Sequence, residues 1–223
     1  VVLGLQLRMT RFQWFIHLAS WGPLAVLVWD YFQKNLTVNP IQAVEQRSGL
    51  IALSFLLFSL ACTPLNTVFG FRPALQVRRA LGLYAFFYAT LHFLAFFAWD
   101  YGANLNFIWL DISDKRYILV GALALLILIV LALTSTRWSM RKLGKRWKIL
   151  HQWVYPAAGL VVIHYVWSVK ADVRLPIAAG GMLALLLLVR LPPLRRWLSQ
   201  KRAAWGGRIR SIASSNPPAP EIK

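Results

Sequence analysis

The chain contains a succession of apolar stretches, each close to the ~20 residues that a helix needs to cross the hydrocarbon of a bilayer. They fall at 12–32, 48–69, 80–99, 117–136, 149–169 and 175–194. Inside a membrane every backbone N–H and C=O must find a partner within the protein, so only helices or closed barrels can span it. These runs are continuous and lack the in–out alternation of barrel strands. They predict an all-α integral membrane protein, a six-transmembrane-helix bundle over 1–198. The sixth run is uncharged only to Val189, and Arg190 is expected to snorkel, letting the span reach about Leu194. A basic tail, 199–223, carries SSNPPAP and is expected to be disordered. The first run is too long for a signal peptide and lacks a small-residue cleavage site. No internal repeat is evident.

Charge then orients the bundle. The net charge of +18 would suggest nucleic acid in a soluble protein, but here it alternates between loops. Only Lys34, Arg47, Lys115, Arg116, Lys170 and Arg174 of the 25 basic residues lie on one side. Asp30, Glu45, Asp100, Asp111, Asp114 and Asp172 lie on that side too. The positive-inside rule places the opposite side, with both termini, in the cytoplasm. The pattern tracks topology and argues against a nucleic-acid partner. Cys62 is the only cysteine, so neither an intrachain disulfide nor a thiolate cluster can form.

The histidines carry the chemistry. His92, His151 and His164 sit in or at the mouth of apolar segments, where an ionisable side chain is costly and marks function. Imidazole is also a standard haem ligand. At 1.5 Å per residue, His92 and His164 come out roughly 18 and 22 Å from the cytoplasmic face, an outer pair at matched depth. His151 is roughly 3 Å deep and His17 about 8 Å, a weaker inner pair. Each also has a plainer reading, as a core histidine bonded to a hydroxyl or carbonyl, or as an interfacial polar residue. His151 and His164 are separated by 13 residues, which misses a common helix face by roughly 140°. Pro156 lies between them and can alter the phase.

The segment LALTSTRWSMRKLGKRWKILHQWVYPAAGLVVIHYVWSVK, together with RRALGLYAFFYATLH and HLASWGPL, resembles the MsrQ (YedZ) family. Those proteins are membrane subunits of a bacterial methionine sulfoxide reductase system. More broadly, the pattern is similar to the ferric reductase-like transmembrane domain. The resemblance implies a ferric reductase-like six-helix bundle in the bacterial inner membrane, with one or two b-type haems and FMN. It implies electron transfer from a cytoplasmic flavin reductase or the quinone pool to MsrP, a periplasmic molybdopterin enzyme. That partner repairs methionine sulfoxide in envelope proteins, so the chemistry at sulfur belongs to it. By matching position, His92, His151 and His164 are the implied haem ligands, with His17 a further candidate.

The wider superfamily has two histidines on its third helix, about 14 apart, and here Arg78, then Arg79, stand at the inner position. An arginine stays protonated and is no ordinary haem ligand. The inner site then has His17 as its second ligand, a single protein ligand, or a flavin in place of haem. Arg78 and Arg79 suit a propionate or a flavin phosphate, or are simply topology charges. The basic loop with Arg141, Lys142, Lys145, Arg146 and Trp147 reads as an amphipathic surface helix or as a docking patch for a soluble flavoprotein. Two alternatives stay open: a ferric or quinone reductase-type cytochrome b, and a cofactor-free transporter or scaffold. No nucleotide-binding glycine fingerprint is present.

Overall fold

The computed structural model describes residues 9–169 and 172–214. Arg8, Lys170 and the end of the tail, 215–223, lie outside them. Among the described residues there are ten α-helices and no strand.

Helix α1 (Arg11–Phe32) begins in a capping box, in which the Thr10 hydroxyl accepts from Gln13 N–H and the Gln13 side chain accepts from Thr10 N–H. Helix α2 (Pro40–Phe69) starts with Asn39 as N-cap and Pro40 in the first turn, and ends on Gly70 at φ 72°. Helix α3 (Pro73–Leu94) follows directly and continues through a π-helical turn, Ala95–Asp100. The short α4 (Leu105–Asp111) lies in the next loop, before α5 (Tyr117–Leu133). Helices α6 (Arg137–Leu143) and α7 (Lys145–His151) lead into α8 (Val154–Ser168). Helices α9 (Arg174–Leu188) and α10 (Pro192–Ser214) complete the chain.

Three segments are long and apolar enough to cross a membrane: Pro40–Phe69, Pro73–Asp100 and Lys145–Ser168. Two bent pairs, α5 with α6 at 92° and α9 with the start of α10 at 74°, raise the number to five if each is one span. Helix α1 has the length, but Arg11, His17 and Asp30 dilute its apolar character.

Helix α2 is the most enclosed span. Leu53, Leu56, Leu60 and Cys62 are buried on it, against Val77, Leu81, Ala85 and Tyr88 of α3. Many large apolar side chains elsewhere face outward, among them Trp14, Phe15, Leu18, Leu126 and Leu185, as suits a lipid-facing surface.

Prolines shape the joints. Pro23 interrupts α1, and the Tyr88 hydroxyl stands beside it, accepting from Leu24 N–H (3.1 Å) and donating to Ser20 O (2.7 Å). Pro64 has no N–H to offer Leu60 O, and Arg190 donates to that carbonyl instead, at 2.5 Å. Arg190 also donates to the Tyr155 hydroxyl at 2.5 Å. Pro156 leaves Gln152 O unmet by the usual helical partner, and Tyr155 N–H takes it at 3.0 Å.

Several boundaries differ from the sequence reading. Helix α2 starts at Pro40 rather than 48, because its polar first turns are helical and capped by Asn39. The third span runs from Pro73 to Asp100, longer than 80–99 at its start. The fourth straight helix stops at Leu133, where Thr134 turns the chain into α6. The fifth is broken after His151. The sixth ends at Leu188: Arg190 turns inward to Leu60 O rather than snorkelling, and Pro192 starts a new helix. The tail is helical to Ser214 where disorder is expected from 199. Arg202 donates to Asn66 O and Thr67 O, capping the C-terminal end of α2.

Candidate functional site

His92 lies in the last turn of α3, and His164 lies near the end of α8. The structure brings their rings together, with centroids 6.1 Å apart and planes at 81°. His92 Nδ1–H donates to Glu45 O of α2 at 2.8 Å. His164 Nδ1–H donates to Tyr117 O of α5, also at 2.8 Å. A carbonyl can only accept, so each bond fixes the proton on Nδ1 and leaves the Nε2 lone pair for a metal. Among the described residues neither Nε2 has a hydrogen-bond partner.

A metal midway between two imidazoles, about 2 Å from each nitrogen, leaves the ring centres roughly 6 Å apart. The observed spacing matches that span. No three His, Cys, Asp or Glu side chains converge on a metal site among the described residues. Two imidazoles alone suit a metal whose remaining ligands come with it, as in a porphyrin.

The site lies at the end of the bundle that carries Asp30, Glu45 and Asp100. Asp30 and Arg47 pair nearby at 2.5 Å, joining α1 to α2. In the following loop, Asp111 Oδ2 accepts from Tyr101 (2.6 Å) and Lys115 (2.6 Å). These bonds hold the Asp111 carboxyl below its usual range, with Lys115 the larger cause. The same pairing raises the Lys115 ammonium.

At the opposite end of the bundle His151 and His17 have different partners. His151 Nε2 lies 3.1 Å from the Thr134 hydroxyl, which is 2.7 Å from Val130 O. The hydroxyl's one proton goes to that carbonyl, so His151 Nε2–H is the donor and Nδ1 carries the lone pair, the reverse of the outer pair. The His151 ring stacks on Trp147, centroids 4.0 Å apart. His17 Nδ1 is 2.9 Å from the Tyr84 hydroxyl. It lines a groove of about 450 Å³ between α1 and α3, walled by Trp21, Gln76, Arg79, Tyr84 and Phe87. Arg79 therefore shares a cavity with His17. Arg78 points to Thr63 (3.4 Å), and its carbonyl accepts from Ser59 (2.9 Å).

In the basic loop Arg141, Lys142, Lys145 and Arg146 are exposed. Trp147 is not available in the same way, since its indole N–H donates to Thr134 O at 2.9 Å. Sequence reasoning missed Gly49 and Gly121, which lie under the outer imidazoles. Their signal is a glycine four residues after each carbonyl that holds a histidine, legible only once those carbonyls are known.

An all-helical membrane domain with two histidines facing each other from separate hairpins defines a class, and comparison agrees. Residues 48–163 match the family described as ferric reductase like transmembrane component. The chain is 46% identical over 184 residues to the protein-methionine-sulfoxide reductase heme-binding subunit MsrQ of Rhodospirillum rubrum, covering 81% of this chain and 88% of that one. The MsrQ of Xanthomonas oryzae pv. oryzae is 42% identical over 77% of this chain and 82% of its own. That of Bordetella parapertussis is 41% identical over 74% and 81%. The chain belongs to the MsrQ family of ferric reductase-like membrane proteins.

Proposed function

We propose that this chain carries electrons across the bacterial inner membrane through b-type haem and delivers them to a periplasmic, MsrP-like methionine sulfoxide reductase. The spacing and crossed planes of the His92 and His164 rings carry this reading. His92 and His164 would hold the haem iron through Nε2, and Glu45 O and Tyr117 O hold both imidazoles in the tautomer that leaves Nε2 free to do so. Haem supplies the one-electron carrier when bound, and the chain's part is to hold and orient it through His92 and His164. The outer placement puts it next to a periplasmic acceptor.

The topology we propose has six spans, α1, α2, α3, α5, α7–α8 and α9, with both termini cytoplasmic. The charge distribution between loops supports it. For the inner cofactor, a second haem or FMN, we assign the cytoplasmic end around His151, with Arg78 and Arg79 as anion partners and the His17 groove as the flavin-sized space. Arg141, Lys142, Lys145 and Arg146 form the surface offered to a cytoplasmic flavin reductase, with the quinone pool as the other donor. Sulfoxide chemistry occurs on the partner.

Dithionite-reduced protein is expected to show the sharp bands of six-coordinate haem b. His92→Ala and His164→Ala each lose the outer haem, and unchanged haem content in either would refute the pairing. Reduced protein mixed with the purified periplasmic partner and sulfoxide is expected to reoxidise. Failure to do so would favour the ferric or quinone reductase reading, which the broader family match keeps in view.

A further inference from the structure

The two outer histidines are held by one device, built twice. His92 of α3 rests on Glu45 and Gly49 of α2, and His164 of α8 rests on Tyr117 and Gly121 of α5. In both cases the accepting carbonyl stands 47 residues before its histidine. In both, a glycine follows that carbonyl by one helical turn. The hairpins share little else in sequence, so the repetition appears only in the contacts.

The glycines are there because of the rings. A Cβ on Gly121 would lie 2.6 Å from Nδ1 and 2.8 Å from Cε1 of His164. A Cβ on Gly49 would lie 3.1 and 3.3 Å from the same atoms of His92. Elsewhere the bundle tolerates more: Gly22, Gly159 and Gly181 have nothing within 4 Å. Glycine in a helix interior is destabilising relative to alanine, and at these two positions the ring occupies the space a methyl would take.

We infer that Gly49 and Gly121 are positioning residues that fix the rotation of the two imidazoles at their crossed angle of 81° and so set the electronic structure of the haem between them. The inference rests on the ligand reading above. Each carbonyl holds the ring at Nδ1, and the bare Cα leaves room for Nδ1 and Cε1 to lie close to the helix. The relative orientation of two axial imidazoles governs how the iron d orbitals split. Near-perpendicular planes give a highly anisotropic low-spin EPR signal, and parallel planes a rhombic one.

The test uses the full chain in detergent or nanodiscs, with haem stoichiometry, EPR of the oxidised form and a redox titration. Gly121→Ala is expected to lose haem or to convert part of the low-spin signal to high spin. Gly49→Ala, the milder contact, is expected to keep its haem with a less anisotropic EPR signal and a shifted midpoint. Gly159→Ala, on the helix that carries His164, is expected to match the parent. The inference is overturned if Gly121→Ala and Gly49→Ala both keep the parent's haem content, EPR signal and midpoint. If Gly121→Ala fails to accumulate, Gly49→Ala alone decides. Haem retained in His92→Ala or His164→Ala would instead bring down the ligand reading. Haem lost there, with unchanged glycine variants, removes only the role of the glycines.

Discussion

Tyr88→Phe removes one oxygen and no packing volume, which makes it a sharp probe of how α1 is fastened. Tyr88 is fully buried, and its ring stacks on Phe55 with centroids 5.4 Å apart. Its hydroxyl links Leu24 N–H and Ser20 O, two groups that an unbroken helix would join directly. Pro23 sits between them, and its ring pushes the turn open. Phenylalanine keeps the stacking but strands one donor and one acceptor. A buried group left unsatisfied costs about 1–3 kcal/mol, so two give roughly 2–6 kcal/mol if the turn cannot close. The assay is unfolding of the purified protein in mixed micelles with rising SDS, followed by helical circular dichroism. Pro23→Ala alone should be tolerated, since it returns an N–H to the ladder. The double variant, Pro23→Ala with Tyr88→Phe, should recover much of the loss, a coupling that a double-mutant cycle isolates. Stability of Tyr88→Phe within about 0.5 kcal/mol of the parent would refute the reasoning, showing that the turn closes on itself.

Further outcomes follow from other contacts. Arg190→Met strands Leu60 O and is expected to destabilise by about 1–3 kcal/mol, with Pro64→Ala restoring the helical donor and most of the stability in the same SDS titration. The outer loop should respond to pH at both ends. The lowered Asp111 carboxyl contributes stability that is present above the ordinary aspartate range and is lost as pH falls through its folded value. The raised Lys115 ammonium contributes below the ordinary lysine range and is lost as pH rises through its folded value. Hydrogen exchange over residues 101–115 reads this, and Asp111→Asn should flatten the acid side. Thr134→Val should release His151 Nε2, seen as a changed tautomer balance in ¹⁵N spectra of labelled histidine; an unchanged ring spectrum would count against the assigned bond.

Much of this molecule could be read from its letters, and the gaps have physical causes. The apolar runs located the helices because a bilayer demands length and hydrophobicity together. Their ends were harder. The first turns of α2 hold Gln42, Glu45, Gln46 and Arg47, and a polar turn of a capped helix looks like a loop when spans are sought by lack of charge. Arg190 looked like a snorkelling end residue because nothing local says that Pro64, far away in sequence, has freed a carbonyl for it. Similar depth from one membrane face singled out His92 with His164, and their rings lie 6.1 Å apart. Depth alone also grouped His17 with His151, but depth carries no azimuth, and the two rings have Tyr84 and Thr134 as their separate partners. The glycines beneath the outer rings were invisible because their meaning depends on which carbonyl each histidine selects.

That selection has a further consequence. An imidazole whose Nδ1–H meets a carboxylate can hand its proton over when the charge on a bound metal changes. Glu45 O and Tyr117 O are backbone carbonyls and cannot become acids. The protons on His92 and His164 therefore meet groups that bind them by a hydrogen bond but cannot take them over. In the electron-carrying role proposed above, neither ring then has a partner at Nδ1 that could take up its proton when the charge on a bound metal changes.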